Sequence, residues 1–268
     1  MPSYTIFDAL TVMKQLRDPE TGCSWDVKQT FETIVPCTLE EMYEVVDAID
    51  RRDYPHLKDE LGDLLLQILF YAQMSDEAQH FNFEQVVDNL VEKLIRRHPH
   101  VFPKGDLQPI TQQSSLTDKE LRANWETIKQ SEKPSQNDAS VLAGIPLALP
   151  AIQRAEKLQK KAAKTGFDWA CLSDIVDKLR EEIEEFERSV NDNDDISAIE
   201  SEVGDLLFTC VNIARYLHID AETALRMTNH KFERRFRRVE LLVHEQGLDK
   251  PTLAQMDLFW DQAKEEGL

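Results

Sequence analysis

The stretch TLEEMYEVVDAI at residues 38–49, followed by KDELGDLLLQILFYA at residues 58–72, decides the fold of this chain. Its counterpart is KLREEIEEFERSV at residues 178–190, followed by ESEVGDLLFTCVNIA at residues 200–214. In all four segments apolar residues recur three and four positions apart, which is typical of amphipathic α-helices. Only 8 of the 268 residues are glycine, and alternating β-branched runs are few. The sequence therefore predicts an all-α fold.

The two pairs of segments are copies of one pattern. Glu41 and Glu182 are 141 residues apart, and Glu60 and Glu202 are 142 residues apart. A G-x-x-W tetrapeptide precedes each pair. Repetition of acidic residues in the same apolar context indicates a duplicated helical domain. We call the half of the chain that contains residues 38–72 the first copy, and the half that contains residues 178–214 the second copy.

The chain is expected to form two tandem helical domains, at residues 1–104 and 148–268. A Pro-, Gln- and Ser-rich stretch at residues 105–147 reads as a linker that contains one helix around Trp125. Ten helices are predicted in all: Tyr4–Arg17, Thr38–Arg51, His56–Glu77, Phe83–Arg97, Asp118–Lys133, Ala148–Ala163, Leu172–Val190, Ile196–Tyr216, Ala221–Gln246 and Leu253–Glu266.

Cap residues suggest where three of these helices begin or end. Thr38 and Glu41 form a T-x-x-E capping box, and Ser173 with Asp174 is a plausible start for the helix of the second copy. Gly247 follows the longest helix as a C-terminal cap.

Composition excludes several classes of function. The 50 acidic and 31 basic residues give a formal charge of −19, which argues against nucleic-acid binding and against docking on anionic lipid. No apolar run approaches the length of a membrane span or of a signal-peptide core. The four cysteines are scattered without a CxxC pair, so a reduced, cytoplasmic protein is expected.

Each copy offers two helices, each with an acidic pair spaced i,i+3. Residues at this spacing lie on one helical face. Four carboxylates that converge beside an apolar core repel one another and lose solvation, and divalent cations relieve both costs. Oxygen ligands favour Mg²⁺, Mn²⁺ or Ca²⁺ over zinc or copper. The predicted metal ligands are Glu182, Glu185, Glu202 and Asp205, and the possible second site has Glu41, Glu44, Glu60 and Asp63.

Apolar residues surround the second acidic pair of each copy, and we expect them to be buried in a core. They are Leu61, Leu64, Leu65 and Ile68 in the first copy, and Val203, Leu206, Leu207 and Val211 in the second.

Basic residues of the second copy are candidates for binding phosphate. Lys231 and Arg235 are four residues apart on one helical face, and Asn229 lies just before them. Lys178 is four residues before Glu182 on the same stripe. Lysine and arginine in such places bind phosphoryl oxygens.

The first copy has a less complete set of phosphate-binding candidates. Lys93 and Arg97 repeat the four-residue spacing. However, Val91 stands in the place of Asn229, and Cys37 in the place of Lys178. The second copy is therefore the better candidate for the active site.

The chain resembles the MazG family of nucleoside triphosphate pyrophosphohydrolases, within the all-α NTP pyrophosphatases. The resemblance covers nearly the whole chain and rests on RDPETGCSWD, TLEEMYEVVDAI, DELGDLL, RRHPHVF, GFDW, EEIEE, EVGDLLF and NHKFERRFRRVE, in this order. It implies Mg²⁺-dependent hydrolysis of a nucleoside triphosphate to monophosphate and pyrophosphate. Mn²⁺ is a possible substitute. It also implies a homodimer in which the partner chain completes four-helix-bundle sites.

The resemblance implies the same residue roles in the second copy. Its four carboxylates match metal ligands, and Lys178, Lys231 and Arg235 match positions that hold phosphates. Lys129 and Trp260 match positions that the family places near the site. Trp260 is also our candidate for stacking on a base.

The expected reaction is attack of water on the α-phosphorus with loss of pyrophosphate. A glutamate of the E-x-x-E pair, Glu182 or Glu185, orients or deprotonates the water, and Lys178 stabilises the charge that leaves. Which glutamate is the base stays open, as does the preferred nucleotide. A house-cleaning or stress-nucleotide role is what the resemblance suggests.

Two other functions stay open. The first copy is a candidate for a nucleotide- or metal-binding regulatory module. A carboxylate-bridged redox metalloprotein is disfavoured, because the E-x-x-H pairs of di-iron bundles are missing.

Overall fold

The computed structural model of the protein describes residues 3–108, 116–132 and 140–268, without the side chains of Arg122, Glu126 and Gln130. Within these ranges the chain forms α-helices, one short 3₁₀ helix at Asp26–Lys28 and no β-strand. The α-helices are α1 (Ile6–Leu16), α2 (Val35–Arg51), α3 (Tyr54–Glu77), α4 (Phe83–Arg97), α5 (Asp118–Ser131), α6 (Ala151–Ala163), α7 (Leu172–Asn191), α8 (Ile196–Tyr216), α9 (Ala221–Glu245) and α10 (Leu253–Glu265). The all-α prediction is confirmed.

Two predicted N-terminal caps are wrong, although the predicted start of α7 at Leu172 is confirmed. Helix α2 begins at Val35, with Pro36 in its first turn, so Thr38 lies inside the helix. Proline has a fixed φ and lacks an N–H, so it starts a helix readily and moves this start ahead of the threonine. Helix α7 begins after Cys171, which places Ser173 within its first turn. The predicted C-terminal cap is confirmed, because Gly247 adopts a φ of 63° directly after α9.

The chain divides into two compact units, at residues 1–134 and 135–268, which we call the first and second units. In the first unit α2 and α3 form a helical hairpin, α1 and α4 pack on α3, and α5 packs on α4. Its apolar core contains Met13, Ile34, Leu69, Phe70 and Met74.

The second unit is built on the same plan. Helices α7 and α8 form the hairpin, α6 packs on α8 and α9, and α10 packs on α9. Ile175, Val211, Val239 and Leu242 are buried there. Each hairpin brings the E-x-x-E helix beside the E-x-G-D helix, which is what places the acidic pairs together.

Most of the apolar residues around the E-x-G-D pairs are not buried. Leu61 is 50% exposed and Leu207 is 58% exposed, whereas Val211 is only 5% exposed. The prediction of a common core for this run is therefore wrong for most of its members. The other described helices that pack on α3 and α8 leave these apolar residues uncovered, so they stay accessible within the described chain. The remaining exposed members are Leu65, Ile68 and Val203.

Helix α5, predicted as part of a linker, lies within the first unit. The predicted domain bounds at residues 104 and 148 stay predictions. The Gln/Ser run of the linker and most of the segment after α5, residues 109–115 and 133–139, lie outside the described residues. None of the described helices is long and apolar enough to cross a membrane.

Candidate active site

Three glutamates of the second copy converge where α7 and α8 lie side by side. Glu182, Glu185 and Glu202 each offer a carboxylate oxygen, and these oxygens all lie within 4.8 Å of one another. Glu182 is buried, and Glu185 and Glu202 are half-buried. The fourth predicted ligand, Asp205, is exposed and lies outside this group, but it lines a pocket together with Glu182. Three of the four predicted carboxylates thus lie together, in a group whose oxygen atoms could hold a hard cation.

Lys178 lies beside this cluster on α7. Its Nζ is 2.9 Å from Glu182 Oε1 and 2.8 Å from Glu181 Oε1. Hydrogen bonds to Glu181 and then to Glu182 raise the pKa of Lys178 above its ordinary value, so the ammonium is fully charged at neutral pH. The site thus holds one fixed cation next to its most deeply buried carboxylate.

A pocket of about 620 Å³ adjoins the carboxylates. Lys178, Glu182 and Asp205 line one part of it. Apolar side chains line much of the remainder, namely Leu142, Leu158, Ala162, Phe167, Trp169 and Phe208. Mostly apolar walls with a few polar groups are typical of a pocket for a small organic ligand.

Polar residues of the same pocket form a connected group. Arg215 forms an ion pair with Asp168, and its Nε and Nη2 lie 3.0 Å and 2.8 Å from Asn212 Oδ1. The Arg215 side chain is only 9% exposed. Hydrogen bonds from Arg215 lower the pKa of Asp168, which keeps the pair ionised.

The first copy has a similar acidic cluster without a neighbouring lysine. Glu41, Glu44 and Glu60 offer oxygens within 4.8 Å of one another. Burial, and then the charge of Asp63, raise the pKa of Glu41. His56 Nδ1 lies 3.2 Å from Glu60 Oε1, while Glu60 Oε2 is buried without a hydrogen bond from any described residue. Burial and the neighbouring carboxylates thus both disfavour the charged form of Glu41, and no described lysine or arginine forms an ion pair with this cluster.

The predicted phosphate-binding residues on α9 do not contact the carboxylates within the described chain. Asn229 and Lys231 are exposed and form no hydrogen bond or ion pair with a described residue. Arg235 donates a hydrogen bond to the carbonyl oxygen of Leu268 at 2.6 Å, and its guanidinium lies 5.7 Å from the ring centre of Trp260. Trp260 also packs against Phe232, with ring centres 5.2 Å apart.

Of the two corresponding basic residues of the first copy, Arg97 is already paired. Arg97 lies 2.5 Å from Glu132 and 5.2 Å from the ring centre of Trp125. Hydrogen bonds from Arg97 and Arg96 lower the pKa of Glu132 to about 2. Lys93 is half-buried and makes no hydrogen bond or ion pair with a described residue.

Helix α5 and helix α10 are equivalent members of the two copies. The sequences WETIK (125–129) and WDQAK (260–264) share a tryptophan and a lysine, and in each copy the arginine of the preceding helix lies over that tryptophan. Lys129 belongs to this motif and is exposed on α5 in the first unit. The duplication therefore extends further than the acidic motifs, and this shared W-x-x-x-K signal was available in the sequence.

Sequence reasoning assigned no role to several polar residues that line the pocket, among them Gln159, Asp168, Asn212 and Arg215. Asp168 lies in the GFDW motif, but the motif by itself gave this aspartate no function. For Asn212 a signal existed, because it lies seven residues, two helical turns, after Asp205 on the same face of α8. Gln159 comes from a different helix, α6, and only packing brings it to the pocket.

Comparison with known proteins identifies the family of this chain. The model of the MazG nucleotide pyrophosphohydrolase domain matches residues 29–102 and 172–239, which contain the two hairpins. The chain is 47% identical over 263 residues to the nucleoside triphosphate pyrophosphohydrolase of Escherichia coli K12, covering 96% of both chains. It is 38% identical over 259 residues to the nucleoside triphosphate pyrophosphohydrolase/pyrophosphatase MazG of Thermotoga maritima, covering 96% of this chain and 94% of the relative. It is also 42% identical over 257 residues to the uncharacterized protein YabN of Bacillus subtilis, covering 95% of this chain and 50% of the relative.

Proposed function

The chain belongs to the MazG family and is a nucleoside triphosphate pyrophosphohydrolase, and from this premise we propose that the second copy carries out a Mg²⁺-dependent reaction that yields a nucleoside monophosphate and pyrophosphate. The observation that supports the second copy is the coincidence of three elements. These are the cluster of Glu182, Glu185 and Glu202, the cation Lys178, and the adjoining pocket.

The donor atoms of this cluster suit Mg²⁺. All three are carboxylate oxygens close enough to share one ion, and no described histidine or cysteine joins them. Such a donor set suits a hard cation, with Mn²⁺ as a substitute. We propose Glu182, Glu185 and Glu202 as the residues that hold the metal, with Asp205 as the fourth. When bound, Mg²⁺ would neutralise phosphate charge and lower the pKa of water.

Other steps of the proposed reaction, namely proton transfer and phosphate binding, are assigned to residues of the second copy. We propose that one glutamate of the E-x-x-E pair, either the buried Glu182 or the half-buried Glu185, accepts a proton from the attacking water. Lys178, fixed by its two glutamates, donates to a phosphoryl oxygen and offsets negative charge on the departing pyrophosphate. Lys231, Arg235 and Asn229 bind the outer phosphates.

We propose that the enzyme is a homodimer in which the partner subunit covers the exposed faces of the hairpins. The support is that Leu61, Leu65 and Ile68 on α3, and Val203 and Leu207 on α8, are between 39% and 58% exposed. Apolar stripes of this kind on the helices that carry the site are typical of a subunit interface. We propose that this arrangement also brings residues of α9, α10 or α5, among them Trp260 and Lys129, to the site.

We propose a cytoplasmic location and a role in nucleotide control for this enzyme. All four cysteines are free, as expected for a reducing, cytoplasmic location. The charge of −19 argues against a nucleic-acid partner. Removal of unwanted nucleotides or control of a stress nucleotide is proposed from the family resemblance alone.

A panel of nucleoside triphosphates with Mg²⁺ tests the reaction. The purified chain should release monophosphate and pyrophosphate in equal amounts. Release of nucleoside diphosphate and orthophosphate would contradict cleavage after the α-phosphorus. Because Glu182 and Glu185 are essential in this proposal, the same panel on Glu185→Ala should give background rates.

The first copy is the second candidate for a function, as a metal- or nucleotide-binding regulatory module. The supporting observation is its own cluster of Glu41, Glu44 and Glu60, with the raised pKa of Glu41. Equilibrium binding of Mn²⁺ by the Glu185→Ala full-length chain measures this site separately. Binding that disappears on the further change Glu44→Ala would support the module.

A further inference from the structure

The pocket of the second unit extends well beyond the carboxylates. Asp205 and Asn212 both line it from α8, and seven residues of helix separate them by about 10 Å along the axis. That separation suits a nucleoside whose α-phosphate lies at the carboxylates. Leu158 and Phe208 supply apolar walls between the two ends.

Gln159 is a buried polar residue of this pocket. It is 6% exposed, and its Nε2 donates a hydrogen bond of 2.9 Å to the carbonyl oxygen of Phe208. Its Oε1 is buried and accepts no hydrogen bond from any described residue. A buried acceptor without a donor is costly, so this oxygen is an unused recognition group.

Asn212 offers the complementary group. Its Oδ1 accepts two hydrogen bonds from Arg215, and Asp168 holds that arginine in place. The orientation of the amide is thereby fixed, and its Nδ2 hydrogens are not used by any described residue. The pocket thus presents one fixed acceptor and one fixed donor.

In the first copy a packed aromatic side chain occupies the position that corresponds to Asn212. Phe70 is related to Asn212 by the same 142-residue offset that relates Glu60 to Glu202. Phe70 is 3% exposed and belongs to the apolar core with Met13 and Ile34. Where the second copy has an open amide-lined end, the first copy has packed aromatic surface.

We propose that this pocket binds the nucleobase of the triphosphate, with Gln159 Oε1 accepting a base N–H and Asn212 Nδ2 donating to the adjacent base acceptor. The proposal rests on the proposed function. Recognition of a base edge by fixed amides between apolar walls is a common means of base selection. Gln159 and Asn212 are accordingly specificity-determining residues, and Arg215 is a positioning residue for Asn212.

The test compares pairs of nucleotides in which one member lacks a single hydrogen-bond-donating group of the base. The first pair is ATP and purine ribonucleoside triphosphate, which lacks the 6-amino group; the second is UTP and N3-methyl-UTP. For the wild-type chain we expect kcat/KM to favour the unmodified member of at least one pair by about tenfold, because the analogue leaves Gln159 Oε1 unpaired. In Gln159→Met, which keeps the volume and removes the acceptor, this ratio should fall to about one, mainly through KM.

A matched control exists in the first unit. Gln67 is also buried, at 7% exposure, and its Oε1 also lacks a hydrogen bond from a described residue. Gln67→Met should keep the wild-type ratios. As a second variant, Asn212→Phe introduces the residue of the first copy and should raise KM for every nucleotide while Mn²⁺ binding is retained.

The outcomes separate this inference from the proposed function. If the wild-type chain releases no pyrophosphate from any nucleotide, the proposed function fails. If it does release pyrophosphate but shows no preference within either pair, or if Gln159→Met keeps the preference, the inference is overturned. If Trp260→Leu loses the preference while Gln159→Met keeps it, the base binds at Trp260 and not in this pocket.

Discussion

Lys178 Nζ lies 2.9 Å from Glu182 Oε1, one turn apart on the same face of α7, and Cys37 stands at the corresponding position of α2. This difference separates the two acidic clusters. In the second copy a fixed ammonium group neutralises part of the charge and remains available to a phosphate. In the first copy the charge is uncompensated by lysine, and the pKa of Glu41 is raised.

Replacing Lys178 by methionine should remove the phosphate donor while keeping most of the side-chain volume. We expect kcat to fall by about 10²-fold or more, as for loss of a single transition-state donor. The measurement is pyrophosphate release at saturating nucleotide. Arg180→Met is the matched control, because Arg180 is a neighbouring exposed cation paired only with Asp177, and its activity should be unchanged. Wild-type turnover in Lys178→Met would refute the role of this lysine.

The two copies should differ in their contribution to turnover. Glu185→Ala is expected to abolish pyrophosphate release with the helical circular dichroism intact, because it removes one of the three clustered oxygens. Glu44→Ala should leave most of the activity. Glu187→Ala, on an exposed part of α7, controls for the loss of a surface charge. Equal losses from Glu44→Ala and Glu185→Ala would contradict the dominance of the second copy.

Removal of divalent metal should stop the reaction. The substrate is an anion and the site is acidic, so without a bound cation the two repel each other. Dialysis against a chelator should reduce the rate to background, and Mg²⁺ or Mn²⁺ should restore it. Addition of Mg²⁺ should also raise the thermal midpoint of the wild-type chain more than that of Glu182→Gln, since ligands that bind the folded state stabilise it. Full activity in the chelated protein would be incompatible with the proposed site.

The ion pair between Asp168 and Arg215 should stabilise the second unit. Arg215 is 9% exposed on its side chain, so Asp168→Asn leaves a largely buried guanidinium without its counter-charge. We expect the free energy of unfolding to fall by roughly 1–2 kcal/mol, measured in urea. Asp174→Asn, an exposed acid nearby in the chain, should change it much less.

Glu132 should make the attachment of α5 dependent on pH. Its pKa is lowered to about 2 by hydrogen bonds from Arg97 and Arg96, against about 4.5 in the unfolded chain. A carboxyl group whose pKa is lowered by folding stabilises the folded state above its unfolded pKa, and this contribution is lost as the pH falls from about 4.5 to about 2. In Glu132→Gln the contribution is absent at every pH. The difference in unfolding free energy between wild type and this variant should therefore shrink over that range, and a constant difference would contradict the ion pairs.

Much of the fold follows from local sequence. The spacing of apolar residues predicted all ten helices, because the 3.6-residue period is a property of each segment alone. The acidic motifs predicted which carboxylates share a face of each helix for the same reason, since i,i+3 residues lie together wherever the helix lies. The meeting of Glu182 and Glu185 with Glu202 required the packing of two helices into a hairpin. Cap positions were less predictable, because Pro36 started α2 ahead of the threonine that resembled a cap.

Contacts between distant segments did not follow from any motif. The ion pair between Arg97 and Glu132 joins the end of α4 to a residue directly after α5, in the stretch that the sequence predicted to be a linker. The exposure of Leu61 and Leu207 likewise depends on how many helices pack around each hairpin, which periodicity does not encode.

The sequence by itself determined the helices, the duplication and the eight repeated carboxylates, because each of these depends on residues within one or two helical turns. Only the tertiary structure decided that Gln159 of α6 reaches the pocket beside Glu182, and that Asn212 is held by Arg215 and Asp168. It also decided that Phe70 closes the equivalent place in the first copy. These relationships depend on the packing of helices that are far apart in the chain, where small differences in side-chain volume determine whether a cavity is open or filled.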